Sequence, residues 1–302
     1  MAMFFLYKGT LLSLYFLILV LLRCVEVRKI GRFVENIKGK TNMHEILDHF
    51  DMPLDKNNTV HKTQKLSCQM LAKRFYREVK IFCEEGGFSV LLDGCPVKTP
   101  AKRHFLVPTE VFAALVAEEF ESQKEVIDPA KMPMTRLVNT VIDGIVDDMQ
   151  VVFEDLLRFV ACDMIFYRAQ TPKELVQRQC ELWDPLLDWA EEKLGARFYL
   201  TEGLMHVGQS RGAIQAVSNY LRQVESPYML AALHTMTTLT GSALIALAVA
   251  AGRINADHAW EIAHLDENWT MEQWGIDEEA MARRAHRKVE FNTAAKIVTT
   301  CF

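Results

Sequence analysis

The residues of this 302-residue chain that could do chemistry are few, and their spacing suits little of it. Gly39-Lys40-Thr41 has the ending of a phosphate-binding loop, but that loop needs a glycine five residues earlier, where Val34 stands. Gly241-Ser242-Ala243 lacks the spacing of a nucleophile elbow and lies in a helical stretch, so Ser242 reads as a packing residue. His258 and His264 are six apart, about 120° from sharing a helical face, which makes a poor metal pair. No G-x-G-x-x-G follows a strand and no H-E-x-x-H is present. The seven cysteines are an odd count without a C-x-x-C pair, which argues against a disulfide framework or structural zinc and for a reducing compartment. Cys162 and Cys180 fall in apolar helical runs and read as small buried hydrophobes. The expectation is a protein with no catalytic residue, no metal and no cofactor.

What remains is a surface that could bind. Residues 255–279 hold eight acids and no Lys or Arg. Read as one helix, Ile262, Leu265 and Trp269 make one apolar stripe, with Trp260 and Met271 roughly opposite. Glu267 then falls about 20° from Trp260. A helix apolar on two sides buries one stripe and presents the other. A partly buried carboxylate in that second stripe would be a polar anchor for a protein partner.

The elements that must position this surface follow from periodicity. The fold class expected is α+β, a small β-rich N-terminal unit followed by a larger all-helical domain. Phe75 to Ile81, Phe88–Leu92, Cys95–Thr99 and Phe105–Val107 read as short strands, with Asp93-Gly94 as a hairpin turn. Pro108-Thr109 opens a helix, which closes a small domain over 74–131. A helical domain spans 132–302. Within it Trp183-Asp184-Pro185 reads as a stop and restart, with Asp184 as N-cap and Gly195 as the later stop. The uncharged stretch Tyr228–Gly252 reads as a buried helix pair rather than a membrane span, and Asn255 and Asp277 as N-caps.

Charge and hydropathy set the N-terminus apart. Residues 1–73 carry 11 Lys/Arg against 6 Asp/Glu, and 74–302 carry 23 against 33. So acidic a body repels phosphate backbones, and nucleic acid is excluded as a partner. Met1–Leu22 is long and apolar enough to contact or span a bilayer, and Arg23, Arg28, Lys29, Arg32, Lys38 and Lys40 follow it. Two readings of 1–42 stand: a true anchor, or an over-extended start with translation from Met43 or Met52. Residues 43–73 read as a polar linker or tail. The leader is neither amphipathic nor rich in Arg and Ser, which favours a bacterial cytoplasm, with possible tethering to the inner membrane, over a mitochondrial matrix.

Seven strings in order carry a resemblance: RFYREV (74–79), LLDGCPVKTPAK (91–102), DPAKMPMTRLVNTVID (128–143), DMIFYRA (163–169), WDPLLDWA (183–190), TGSALIALA (240–248) and LDENWTMEQWG (265–275). Together they resemble the assembly chaperones of the catalytic head of the F-type ATP synthase, which guard its alpha subunit. The resemblance covers about 74–298. It departs at Cys95, where the family usually has Arg, at Phe120, usually Trp, and at Thr270, often Gln. It implies a non-enzymatic chaperone that binds unassembled alpha, shields its interface until beta replaces it, and is monomeric when free. The family's acidic residues of the last domain fall on Asp266 and Glu267, which with Trp260 and Met271 make the client-binding set. Arg136, Asn139 and Asp143, with Trp183 and Asp184, match other strings, and their expected role is a structural or interdomain network. The competing reading is a membrane-anchored enzyme or scaffold using residues 1–22.

Overall fold

The alternating residues from Val79 to Leu92 fold as the expected hairpin, β1 (Val79–Glu84) against β2 (Gly87–Leu92) with Glu84 opposite Gly87. The structure is a computed structural model that describes residues 71–203 and 205–300, all within the compact unit Met70–Phe302. The apolar run Met1–Leu22, the string Gly39–Thr41 and the 43–73 stretch as far as Met70 lie outside the described residues. At the next turn Asp93 and Gly94 both have positive φ, 49° and 81°, the geometry that joins two twisted strands in two residues. The turn leads into β3 (Cys95–Pro96), and β4 (Leu106–Val107) pairs with β2 beside it. The Asp93 carboxylate accepts the backbone N–H groups of Arg77 and Glu78, which sets the start of β1 and holds the carboxyl below its usual range. A methyl group on Gly87 would sit 2.5 Å from the carbonyl oxygen of Val107, so only glycine lets β4 approach.

Helix α1 (Glu110–Ser122) starts where Thr109 accepts the N–H of Phe112. It buries Phe112, Ala113, Val116 and Phe120 in one core with Val90, Leu92, Phe105 and Val107 of the sheet. The rest is helical: α2 (Pro133–Thr140), α3 (Met149–Ala161), α4 (Lys173–Trp189), α5 (Arg211–Leu221), α6 (Pro227–Thr240), α7 (Ala243–Ala250), α8 (Ala256–Ala263), α9 (Leu265–Trp274) and α10 (Glu278–Thr300). Two-residue strands β5 (Tyr167–Arg168) and β6 (Thr201–Glu202) pair in parallel. The class is α+β, as expected.

The uncharged stretch is a buried helix pair. α7 is buried on every side from Ala243 to Val249, and α10 packs across both α6 and α7. Gly241, at φ 72°, separates the two, and Ser242 is an N-cap accepting from Ile245 as well as a buried residue. Among the described residues no helix is long and apolar enough to cross a membrane. Asn255 and Asp277 cap α8 and α10 as expected.

Two expectations need correction. Asp184-Pro185 does not stop a helix, because α4 runs through with Pro185 inside it. An internal proline costs about 3 kcal/mol or more, but Trp183, Leu186 and Trp189 are buried on both sides of it. The Trp183 indole also donates to the carbonyl of Ile262 at 3.0 Å, so tertiary anchors hold the helix straight through. The real stop is Gly195 at φ 69°, after a π-helical turn, Ala190–Leu194. Cys180 is exposed on α4 rather than buried.

The sheet is tied to the helices by polar groups as well as by core. The Glu119 carboxylate of α1 accepts the N–H groups of Met134 and Thr135 and the Thr135 hydroxyl at 2.7–2.8 Å, capping α2. Burial raises that carboxyl, and the three donors oppose the shift. Tyr228 of α6 donates to the carbonyl of Leu106 at 2.6 Å.

Candidate functional site

The acidic stretch 255–279 is two helices, not one. His264, at φ −109° and ψ 26°, ends α8 and precedes α9, so the helical phase is broken between Trp260 and Glu267. Its ring lies against that of Trp260, centroids 3.9 Å apart and tilted by 36°, and its Nδ1 lies 2.8 Å from the Trp260 carbonyl. Burial pushes this imidazole down to about 4, and Arg284 and Arg287 push it the same way. Trp260 is 3% exposed and packs on Phe291 of α10. It is a core residue, which corrects its placement on a presented stripe. Glu267 is exposed, which corrects its expected partial burial.

α9 is seated on α4 by side chains at one edge. Gln179 donates to Asp266 at 2.8 Å. Arg178 reaches both oxygens of Glu272 at 2.8–2.9 Å and lies 4.8 Å over the ring of Trp269. Asp266 is exposed as a residue, and its bond to Gln179 is half-buried. Desolvation raises its carboxyl, and Gln179 and the charge of Arg168 hold it down. Arg168 is 8% exposed, 5.2 Å over Trp183, with its Nε donating to Ile165. It stands 2.8 Å from Asp184, close as charges but without hydrogen-bond geometry. Trp183 and Asp184 thus hold Arg168 against α4, and Trp183 also ties α4 to α8 through the carbonyl of Ile262.

The other face of α9 meets solvent. Glu267, Met271 and Trp274 are spaced i, i+4, i+7, so they share one stripe. Trp274 is 85% exposed and Ile276, just past Gly275, is 70% exposed. Met281 of α10 adds a third exposed apolar group, and Glu267 lies within electrostatic reach of Arg284. Trp274 and Ile276 were missed from the sequence. The i, i+4, i+7 count from Glu267 places Trp274 on the same stripe and was the signal available in the sequence.

The predicted network divides. Asp143 accepts the Thr99 hydroxyl at 2.6 Å and the N–H of Ala101, tying the β3 hairpin to the turn after α2. Arg136 instead pairs with Glu290 of α10 at 2.6 Å. The buried carbonyl oxygen of the Asn139 side chain has no partner. Among the described residues no three His, Cys, Asp or Glu are placed to hold a metal ion.

An exposed tryptophan and isoleucine in an acidic field, on a helix fixed from behind, suit the capture of another protein. The comparisons agree with that class. The family model described as ATP12 chaperone protein matches residues 73–191. A crystal structure of a putative chaperone from Agrobacterium tumefaciens is 49% identical, covering 82% of this chain and 93% of that one, with TM-score 0.75. That of Atp12 from Paracoccus denitrificans is 39% identical, covering 75% and 97%, with TM-score 0.71. Protein atp12, mitochondrial, of Schizosaccharomyces pombe is 26% identical over 220 residues, 69% of this chain and 75% of that one. The chain belongs to the ATP12 chaperone family, a family of ATP synthase assembly chaperones.

Proposed function

We propose that this chaperone binds the unassembled alpha subunit of the F-type ATP synthase catalytic head and covers its interface until the beta subunit replaces it. The observation that carries the reading is the α9 stripe Glu267–Met271–Trp274, continued by Ile276. A large aromatic side chain held in water is a ready anchor for a complementary pocket, and the surrounding acids select a partner with basic groups at its rim. Asp266 acts by seating α9 through Gln179, and Glu267 by direct contact. Trp260 supports the stripe from the core. The affinity must be moderate and the off-rate appreciable, because a permanent cap would block assembly. We place this activity in a bacterial cytoplasm.

The test is co-purification. Tagged protein expressed where free alpha accumulates should recover alpha, and adding beta should release it. Recovery of no alpha by a folded protein overturns the reading.

A further inference from the structure

β1 is the outer strand of its sheet and carries an unused edge. The N–H of Asp93 donates to the carbonyl of Glu78 at 3.0 Å. By the alternation of an antiparallel ladder, Glu78, Lys80, Phe82 and Glu84 are thus the residues that bond toward β2. Val79, Ile81 and Cys83 turn their N–H and C=O groups the other way. Among the described residues no strand pairs with that side and no other backbone bond reaches those groups. Lys80 through Cys83 are all exposed, Phe82 at 54%, so nothing described covers this edge. Exposed edges are usually guarded by charge. Here the charges are arranged about Phe82 in a way that suits one particular partner.

We propose that the β1 edge pairs antiparallel with β1 of a second copy of this chain, with Phe82 on the two-fold axis. Lys80, Phe82 and Glu84 lie at i, i+2 and i+4, on one face of the strand. In this register Phe82 meets Phe82 of the second copy, Lys80 meets its Glu84, and Glu84 meets its Lys80. That is the self-complementarity an isologous interface requires. Aromatic pairs and opposite charges facing across strands are the pairs that stabilise a ladder. Ile81 and Cys83 then exchange the backbone bonds that the free edge offers. A register centred on Ile81 would instead set Glu84 against Glu78, two like charges, so charge selects the Phe82 register. Six residues of edge bury far less than the about 1,200–2,000 Å² of a stable interface, so the association is weak and concentration-dependent. It refines the monomer expected from the sequence, which holds at low concentration. It does not depend on the identity of the client.

Cross-linking in the full chain tests the register. Across a non-hydrogen-bonded antiparallel pair the Cα atoms are about 4.5 Å apart, within disulfide range. A Phe82→Cys, Cys83→Ser variant treated with diamide should form covalent dimer at least about tenfold faster than the Cys83→Ser parent. Ile81→Cys in the same background should stay at the parent rate, since that residue does not face its own copy. Sedimentation equilibrium supplies the charge arm. Lys80→Glu and Glu84→Lys should each weaken self-association, by about tenfold from two pairs turned repulsive, and the double exchange should restore it. Glu84 also accepts from Ser89 and faces His104, so a thermal melt of each variant establishes that it is folded. Phe82→Cys cross-linking no faster than its parent, with mass independent of concentration, overturns the proposal. So does faster cross-linking by Ile81→Cys than by Phe82→Cys. If self-association is absent but Phe82→Lys reduces recovery of alpha, the edge serves the client and the proposal is likewise overturned.

Discussion

Replacing Asp163 by alanine should destabilise the protein more in mild acid than at neutral pH. The carboxylate is fully buried where the loop before β5 meets the start of α7. It accepts the N–H of Leu244 at 3.0 Å and of Ile165 at 3.2 Å, and bonds the Ser242 hydroxyl and the Ala243 N–H as well. Desolvation nonetheless outweighs these donors and pushes the carboxyl up from 3.8 to about 6. Between those values the folded state holds a proton that the unfolded chain has released, so this group's contribution to stability is full below about pH 4 and falls as pH rises. A shift of that size is worth about 3 kcal/mol. Alanine orphans at least two buried N–H groups, at about 1–3 kcal/mol each, which gives about 2–6 kcal/mol at pH 4.5. At pH 7, where the parent carries the buried charge, the gap should be about 2 kcal/mol smaller. His264 runs the other way: depressed from 6.5 to about 4, it contributes stability above pH 6.5 that is lost on acidification. The parent curve should therefore be nearly flat from pH 7 to 4.5, and the alanine variant should lose stability on acidification. Urea unfolding of both proteins across that range measures the gap directly. A gap independent of pH, or wider at pH 7, would mean that α7 stabilises the ionised carboxylate, and the reasoning would fail.

Trp260→Ala should cost about 3–5 kcal/mol as a core cavity, seen as a large fall in melting temperature; an unchanged melt with lost client capture would return Trp260 to the binding surface. Glu267→Lys should leave the melt within about 0.5 kcal/mol of the parent yet weaken capture of alpha about tenfold or more, read by titration with purified alpha. Trp274→Ala should do the same through lost apolar contact, by about 2 kcal/mol or more if it is the anchor, and equal capture by parent and variant would remove it from the site. Gly87→Ala should strip β4 from β2 and lower the melting temperature, because its methyl group meets the Val107 carbonyl at 2.5 Å; an unchanged melt would show that β4 can shift.

The features legible in the sequence are those settled within a few residues of backbone. Asp93-Gly94 supplies two residues that tolerate positive φ, and the hairpin follows. Thr109, Asn255 and Asp277 each accept an N–H two or three residues on, and Gly195 ends its turn in the left-handed region. The absence of charge and the small residues likewise marked Tyr228–Gly252 as a buried helix pair broken at Gly241-Ser242. The ordered family strings identified the chaperone class before any contact was known.

Phase and exposure were decided by residues far apart in the chain. Asp184-Pro185 carries a strong local stop signal, yet Trp183 bonds Ile262 across 79 residues and α4 continues. Residues 256–274 carry no glycine or proline to mark a break, yet α8 ends at His264, where the ring lies against Trp260 and the backbone turns. That single break takes Glu267 out of line with Trp260 and leaves it in line with Trp274, which is on its own helix. A helical wheel assumes an unbroken axis, and only packing shows where the axis ends. The sequence alone determined that this stretch is acidic, aromatic and helical; which of its tryptophans faces water was decided by α10, because Phe291 takes Trp260 into the core and leaves Trp274 outside it.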